Sequence, residues 1–358
     1  MVLVRPLSFL ERGTVSCTHH ITANSLPNSG AGKTESAKFI MRYIASVNPP
    51  SAGGKGKTKV SLDEASEVER QILATNPALE AFGNAKTTRN DNSSRFGKYI
   101  QVGCALYLTD CNLNIIVKIL FDGKQEICGA RIRTYLLERS RVVFQPLTER
   151  NYHIFYQLCA GTPLKERKDL GLDTDITKFH YLKQGGPTST PINGVDDAEE
   201  FRQTQHALST IGISVEKQWA VFKLLSALLH LGNVKITAMR NDAAIDDTDP
   251  ALQMATRFLG VPLADFKKWT VKKQISTRSE KIVSSLNATQ ATGVRDSVAK
   301  FIYACLFEWL VAIINESLAG ENGEGANRAE MFIGVLDIYG FEHFKKVSKS
   351  NELSRSIR

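Results

Sequence analysis

No two of the six cysteines stand in a CxxC pair. Cys17, Cys104, Cys111, Cys128, Cys159 and Cys305 are scattered through 358 residues, a pattern that offers neither a disulfide framework nor a zinc site of paired ligands and that suits a reducing compartment. Long apolar runs are scarce. The longest, FIYACLFEWLVAII, is interrupted by Glu308 and is expected to fall short of a bilayer span, so no direct membrane insertion is expected. The N-terminal MVLVRPLSFLERG has too short an apolar stretch for a secretory signal. No internal period of about 20 to 50 residues argues for a solenoid. The formal charge of +8 is modest for this length and gives no reason to expect a nucleic-acid partner. A soluble cytoplasmic protein is the expectation.

What is present is an alternation of helical and strand patterns. Ala37, Ile40, Met41 and Ile44 recur at helical spacing after Lys33, and that helix should end before Pro49-Pro50. Ser51–Val60 reads as a flexible basic loop. A second helix is expected over Ser61–Ala74 and a separate third after Asn76-Pro77. KYIQ, ILF and ARIRTYLL read as strands, the last two bracketing a turn at Asp122-Gly123. The middle is helical: NYHIFYQLCAG, WAVFKLLSALLHLG and Ser297–Leu318 each carry an apolar stripe. MFIGVLDIYGF reads as a buried strand ending in a carboxylate. The class is α/β with a large helical insertion.

Three segments carry phosphate chemistry. Ser29-Gly30-Ala31-Gly32-Lys33-Thr34 supplies the second half of a G-x-x-x-x-G-K-[ST] loop, whose small residues let backbone N–H groups approach phosphates at a helix N-terminus. Lys33 would reach the terminal phosphates and Thr34 would hold Mg²⁺. Pro27 stands where the loop's first glycine belongs, fixes φ and lacks an N–H. A second Gly56-Lys57-Thr58 lies in a basic loop with no strand before it and is discounted. Asn90-Asp91-Asn92-Ser93-Ser94-Arg95-Phe96-Gly97 gathers amides, hydroxyls and a guanidinium suited to phosphate and metal, although an Asx-rich turn would look the same. Asp337-Ile338-Tyr339-Gly340-Phe341-Glu342 places a carboxylate at a strand end, then a glycine N–H, then a second carboxylate that could latch onto Arg95.

Together these segments resemble the P-loop, switch I and switch II of a myosin motor head. The transducer is resembled by GARIRTYLLERSRVVFQPLTERNYHIFYQLCAG, and the wording is most similar to class V myosins of fungi. The resemblance runs from Ser29 to Lys346 and implies a P-loop NTPase-type mixed central sheet with a helical upper-50K-like region. It implies ATP and Mg²⁺, with Ser29 to Thr34 and Asn90 on phosphate and Thr34 and Ser94 on the metal. Asp337 would act in the metal's outer shell. Ser93 would position the attacking water, Gly340 would bond the γ-phosphate, and Arg95 and Glu342 would close the site. KKQISTRSEKIVSSLN, Lys272 to Asn287, resembles an actin-contacting loop, which implies actin contacts at Arg278, Glu280 and Lys281. An acidic Glu280 implies no need for phosphorylation there. Ser46–Ser61 matches the surface loop that tunes nucleotide release in the family, and equally a solvated linker.

Three segments depart from that pattern: 1–28, Val102–Lys118 inserted between KYIQ and ILFDGKQE, and 347–358. The last two begin with valine, whose codons start GT, and the expectation is that translated introns account for them. The adenine-binding segment and the relay are absent from the resemblance, so ATP turnover and movement on actin are expected to be impaired. A non-catalytic actin-binding or regulatory fragment is the alternative, and a generic P-loop ATPase a third reading. Light chains and cargo, including vesicles, are expected only for a longer parent in the actin cytoskeleton.

Overall fold

The computed structural model describes residues 21–22, 67–100, 103–104, 117–121, 127–186, 191–240, 242–276, 281–319 and 331–337. The expected helix after Lys33, the basic loop before residue 61 and the turn at Asp122-Gly123 lie outside them.

The first elements are β1 (Ile21–Thr22), α1 (Glu67–Gly83), β2 (Asn84–Ala85), β3 (Ser93–Ser94), β4 (Gly97–Ile100), β5 (Gly103–Cys104), β6 (Val117–Phe121), β7 (Ile127–Arg131) and β8 (Arg133–Tyr135). Helices follow: α2 (His153–Gly161), α3 (Leu164–Asp169), α4 (Asp197–Thr210) and α5 (Val215–Asn233). The hairpin β9 (Ile236–Ala238) and β10 (Ala243–Ile245) leads to α6 (Pro250–Leu259) and α7 (Leu263–Val271). The hairpin β11 (Lys272–Ser276) and β12 (Lys281–Ser285) precedes α8 (Ala288–Leu318), and β13 (Met331–Asp337) closes the order.

A mixed seven-stranded sheet is built around β13, which runs parallel to β1 and antiparallel to β4, β5 and β6. The register is informative. If β4 simply continued along β13, Val335 would face Ile100; it faces Val117 instead, seventeen residues further along the chain. β4 and β6 thus follow one another against β13, and where they meet Ile100 and Val117 pair in parallel. Gly103 and Cys104, within this segment, pair with Phe332 and Met331.

Two strand and helix expectations are corrected. ARIRTYLL is not one strand: it divides at Ile132, whose N–H donates to Asn315 Oδ1 (2.6 Å) while its carbonyl accepts from Asn315 Nδ2 (2.7 Å). A side chain of α8 thus takes both groups that the ladder would have used. The helices expected on either side of Asn76-Pro77 are one helix, α1, with Pro77 inside it. Proline removes one ladder hydrogen bond there, but Ala78, Leu79, Ala81 and Phe82 are at most 2% exposed, and their packing outweighs that cost.

The core joins sheet and helices. Tyr303 of α8 stacks on Tyr152 with ring centroids 4.9 Å apart and donates its hydroxyl proton to the carbonyl of Phe82 (2.6 Å). Phe307, one turn on, meets Phe96 edge to face at 5.1 Å. α8 starts well before the expected Ser297, because Asn287 and Gln290 form a reciprocal capping box. At 31 residues it is long and apolar enough to cross a membrane by length and composition, which corrects the expected shortfall. In this fold Tyr303, Phe307, Leu310, Ile314 and Leu318 bury one face of it in the core. Gly232 near the end of α5 is needed for close packing, since a Cβ there would sit 2.7 Å from the Tyr181 ring.

Candidate functional site

The segment from Asn84 to Arg95 folds back on itself as a short antiparallel ladder, with Asn84 opposite Ser94 and Ala85 opposite Ser93. Its tip is a turn in which the Thr87 N–H donates to the Asn90 carbonyl (2.8 Å), followed by an Asx turn in which the Asn92 N–H donates to Asn90 Oδ1 (3.0 Å). The Asx-rich turn and the polar loop are thus the same object. The ladder is tied down at its base: the Arg95 N–H donates to the Gly83 carbonyl and the Glu138 N–H to the Arg95 carbonyl, at 2.8 and 2.9 Å.

The side chains at the loop are organised by partners that the sequence reading did not single out. Ser94 Oγ donates to Asn84 Oδ1 (3.0 Å), and Asn84 Nδ2 donates to Asn92 Oδ1 (2.9 Å). Arg95 donates from Nη1 to Ser93 Oγ (3.2 Å) and from Nε to Glu138 Oε2 (2.6 Å). Glu138 is shared: Arg141 Nε also donates to its Oε2 (2.8 Å), and Arg141 Nη2 pairs with Glu149 at 2.9 Å. Arg95, Glu138, Arg141 and Glu149 form one chain of alternating charge running from the loop into the core, where Arg141 is 3% and Glu149 2% exposed. Burial alone would raise the Glu138 carboxyl, but Arg141 and then Arg95 outweigh it and hold it below the ordinary range.

Of the expected site residues, Asn90, Ser93, Ser94 and Arg95 share this loop, with Ser93 buried and the others partly exposed. Asp337 ends β13 and pairs in register with Lys98 of β4, three positions along the chain from Arg95. The topology therefore brings the loop and the strand-end aspartate to one end of the sheet. Lys281 is exposed at the start of β12, opposite Ser276 in the β11–β12 hairpin. Ser29, Gly30, Ala31, Gly32, Lys33, Thr34, Arg278, Glu280, Gly340 and Glu342 lie outside the described residues.

Among the described residues no three His, Cys, Asp or Glu side chains gather as a metal cage. The loop fits a different mode, in which Mg²⁺ is held by few protein oxygens together with substrate phosphates and water. Ser94 suits it: its proton is committed to Asn84, which leaves the oxygen lone pairs available to a cation.

Comparison with known proteins follows the same residues. The chain matches the family described as myosin head (motor domain) over residues 26–351. It is 56% identical over 320 residues to Myosin-2 of Lachancea kluyveri, covering 89% of this chain and 19% of that protein. It is 54% identical over 320 residues to Myosin-2 of Saccharomyces cerevisiae, again 89% of this chain and 19% of the relative. Against Myosin-52 of Schizosaccharomyces pombe it is 51% identical over 323 residues, 89% of this chain and 20% of the relative. The chain thus spans about a fifth of the length of these relatives.

Proposed function

The chain belongs to the myosin head (motor domain) family, and from that premise we propose that it is a portion of an actin-based motor head that binds Mg·ATP and hydrolyses it. The observation that carries the reading is the placement of Asn90, Ser93, Ser94 and Arg95 on one tied loop beside the sheet end at which Asp337 terminates β13. Mg²⁺, when bound, would neutralise the charge that develops on the transferred phosphoryl group.

The protein's own groups have the remaining tasks. Asn90 orients phosphate, and Ser93 positions the attacking water. Arg95, aligned by Glu138, is the cation that Glu342 approaches as the site closes and water is excluded. Lys33 reaches the terminal phosphates, the Thr34 and Ser94 hydroxyls would hold the metal, Asp337 would orient its water shell, and Gly340 contributes its N–H to the γ-phosphate. Catalysis of this kind rests on placement and charge stabilisation, with no covalent intermediate. Lys281, which opens β12, and Arg278 and Glu280, just before it in the sequence, are the proposed actin contacts. Light chains and cargo belong to a longer protein in the actin cytoskeleton. The class V affiliation rests on the sequence resemblance, and the successive register of β4 and β6 against β13 supports Val102–Lys118 as an insertion.

Steady-state turnover with and without filamentous actin tests the proposal, with Lys33→Ala as control. The expected outcome is impaired but actin-stimulated turnover in the unsubstituted chain that falls by roughly 10²-fold or more in Lys33→Ala, since a positioned cation on phosphate is worth several kcal/mol. Actin co-sedimentation without Lys33-dependent turnover would instead favour the non-catalytic actin-binding fragment.

A further inference from the structure

The reaction just proposed uses no histidine, yet a buried one stands directly behind the loop. His153, the first residue of α2, is 9% exposed, and its Nε2 lies 3.2 Å from Asn92 Oδ1. We propose that His153 is a positioning residue: it donates a hydrogen bond to the oxygen of Asn92 and, together with Glu80 on the amide nitrogen, holds that side chain in the orientation from which every hydrogen bond out to the Ser94 hydroxyl takes its direction. This inference rests on the nucleotide reading for its kinetic consequence only.

The direction of each bond follows from one fixed end. Asn92 Nδ2 lies 3.0 Å from Glu80 Oε2. An ionised carboxylate only accepts, so the amide nitrogen of Asn92 faces Glu80 and its oxygen faces the other two partners. Those partners are Asn84 Nδ2 at 2.9 Å and His153 Nε2 at 3.2 Å, so both donate. With its nitrogen so engaged, Asn84 turns its own oxygen to Ser94, and Ser94 must donate to it at 3.0 Å. The result is a hydroxyl whose proton points into the protein and whose lone pairs point away from Asn84. The opposite tautomer of His153 would set a bare ring nitrogen against the Asn92 oxygen, and a flipped Asn92 would present its NH₂ to Asn84 NH₂ and its oxygen to Glu80.

Burial keeps the imidazole neutral, with its pKa lowered to about 3 by desolvation and then by the charges of Arg150 and Arg141. A neutral ring has one N–H to give, and this geometry places it on Nε2. Asn92 also donates its backbone N–H to Asn90 Oδ1 (3.0 Å), so the same asparagine fixes the tip of the loop.

Two variants separate hydrogen bonding from volume. His153→Leu removes the donor and keeps an apolar filler, whereas His153→Gln places an amide N–H near the Nε2 position. The readouts are the split between kcat and KM for ATP and the amide hydrogen exchange of residues 90–94. For His153→Leu, kcat is expected to fall about tenfold while KM changes by less than about twofold, the pattern of a group that acts in the transition state. Exchange at Asn92 should rise about tenfold while α5 is unchanged, and His153→Gln should restore most of both values. Unchanged kcat and exchange in His153→Leu would overturn the proposal, as would equal impairment of both variants. If the parent chain shows no Lys33-dependent turnover, the nucleotide reading has failed, and the exchange data alone then support or overturn the role of His153.

Discussion

Joining Gln101 directly to Ile119, with Val102–Lys118 deleted, is expected to stabilise the protein by roughly 2–3 kcal/mol, the loop-closure entropy of a segment of that length. The register makes the result specific. Ile119 already faces Ile333 and Lys98 already faces Asp337. After deletion, Gln101 and Ile100 would take the places opposite Gly334 and Val335 that Lys118 and Val117 now hold. Neither flank would change its side of the sheet, which a shift of one residue would force. The short pairing of Gly103 and Cys104 with β13 would be lost and offsets part of the gain. Thermal unfolding of the two chains checks this. A lower midpoint in the deleted chain would mean that the segment is an integral part of the sheet.

Arg141→Met is expected to cost about 3–5 kcal/mol, the usual penalty for removing one member of a buried ion pair and leaving the other charged. Glu149 would keep a carboxylate at 2% exposure without the cation that pairs with it, and Glu138 would lose one of its two guanidinium partners. Replacing Glu149 by methionine in the same chain should recover most of the loss. Equal losses in the single and double variants, measured in urea, would show that Arg141 acts by packing alone. The acid side follows from Glu138. Its folded carboxyl is held below its ordinary value of 4.5, so its stabilisation is present above that value and is lost as pH falls through the lower folded value. Glu138→Gln should flatten that part of the stability profile.

These two expectations draw on features of unequal visibility in the sequence. KYIQ, ILF and MFIGVLDIYGF are rich in β-branched and large apolar residues and read as strands directly, and strands stand at Gly97–Ile100, Val117–Phe121 and Met331–Asp337, the second starting two residues earlier, inside the segment read as an insertion. The apolar stripe of α5 is equally legible, whereas the stripe of α8 points to a start at Ser297 and the Asn287–Gln290 capping box places it at Ala288. Pro77 misled because tertiary packing overrode a local rule. The division at Ile132 was hidden because its cause, Asn315, lies 183 residues away.

The same distance effect separates the two halves of the site. Asn90, Ser93, Ser94 and Arg95 are contiguous, and their side-chain chemistry is plain from the string. Glu138 lies 43 residues from Arg95, and His153 lies 61 from Asn92. Nothing in LLERSRVV or NYHIFYQL distinguishes a loop support from an ordinary charged or aromatic residue until the fold brings them together.

The central claim is that the Asn90–Arg95 loop responds to a nucleotide held by Lys33. Amide hydrogen exchange across residues 90–95, with and without Mg·ATP, in the parent chain and in Lys33→Ala, tests it most directly. The account predicts slower exchange on adding Mg·ATP in the parent and no change in Lys33→Ala. Exchange that is indifferent to Mg·ATP in the parent, with the protein folded, would contradict it.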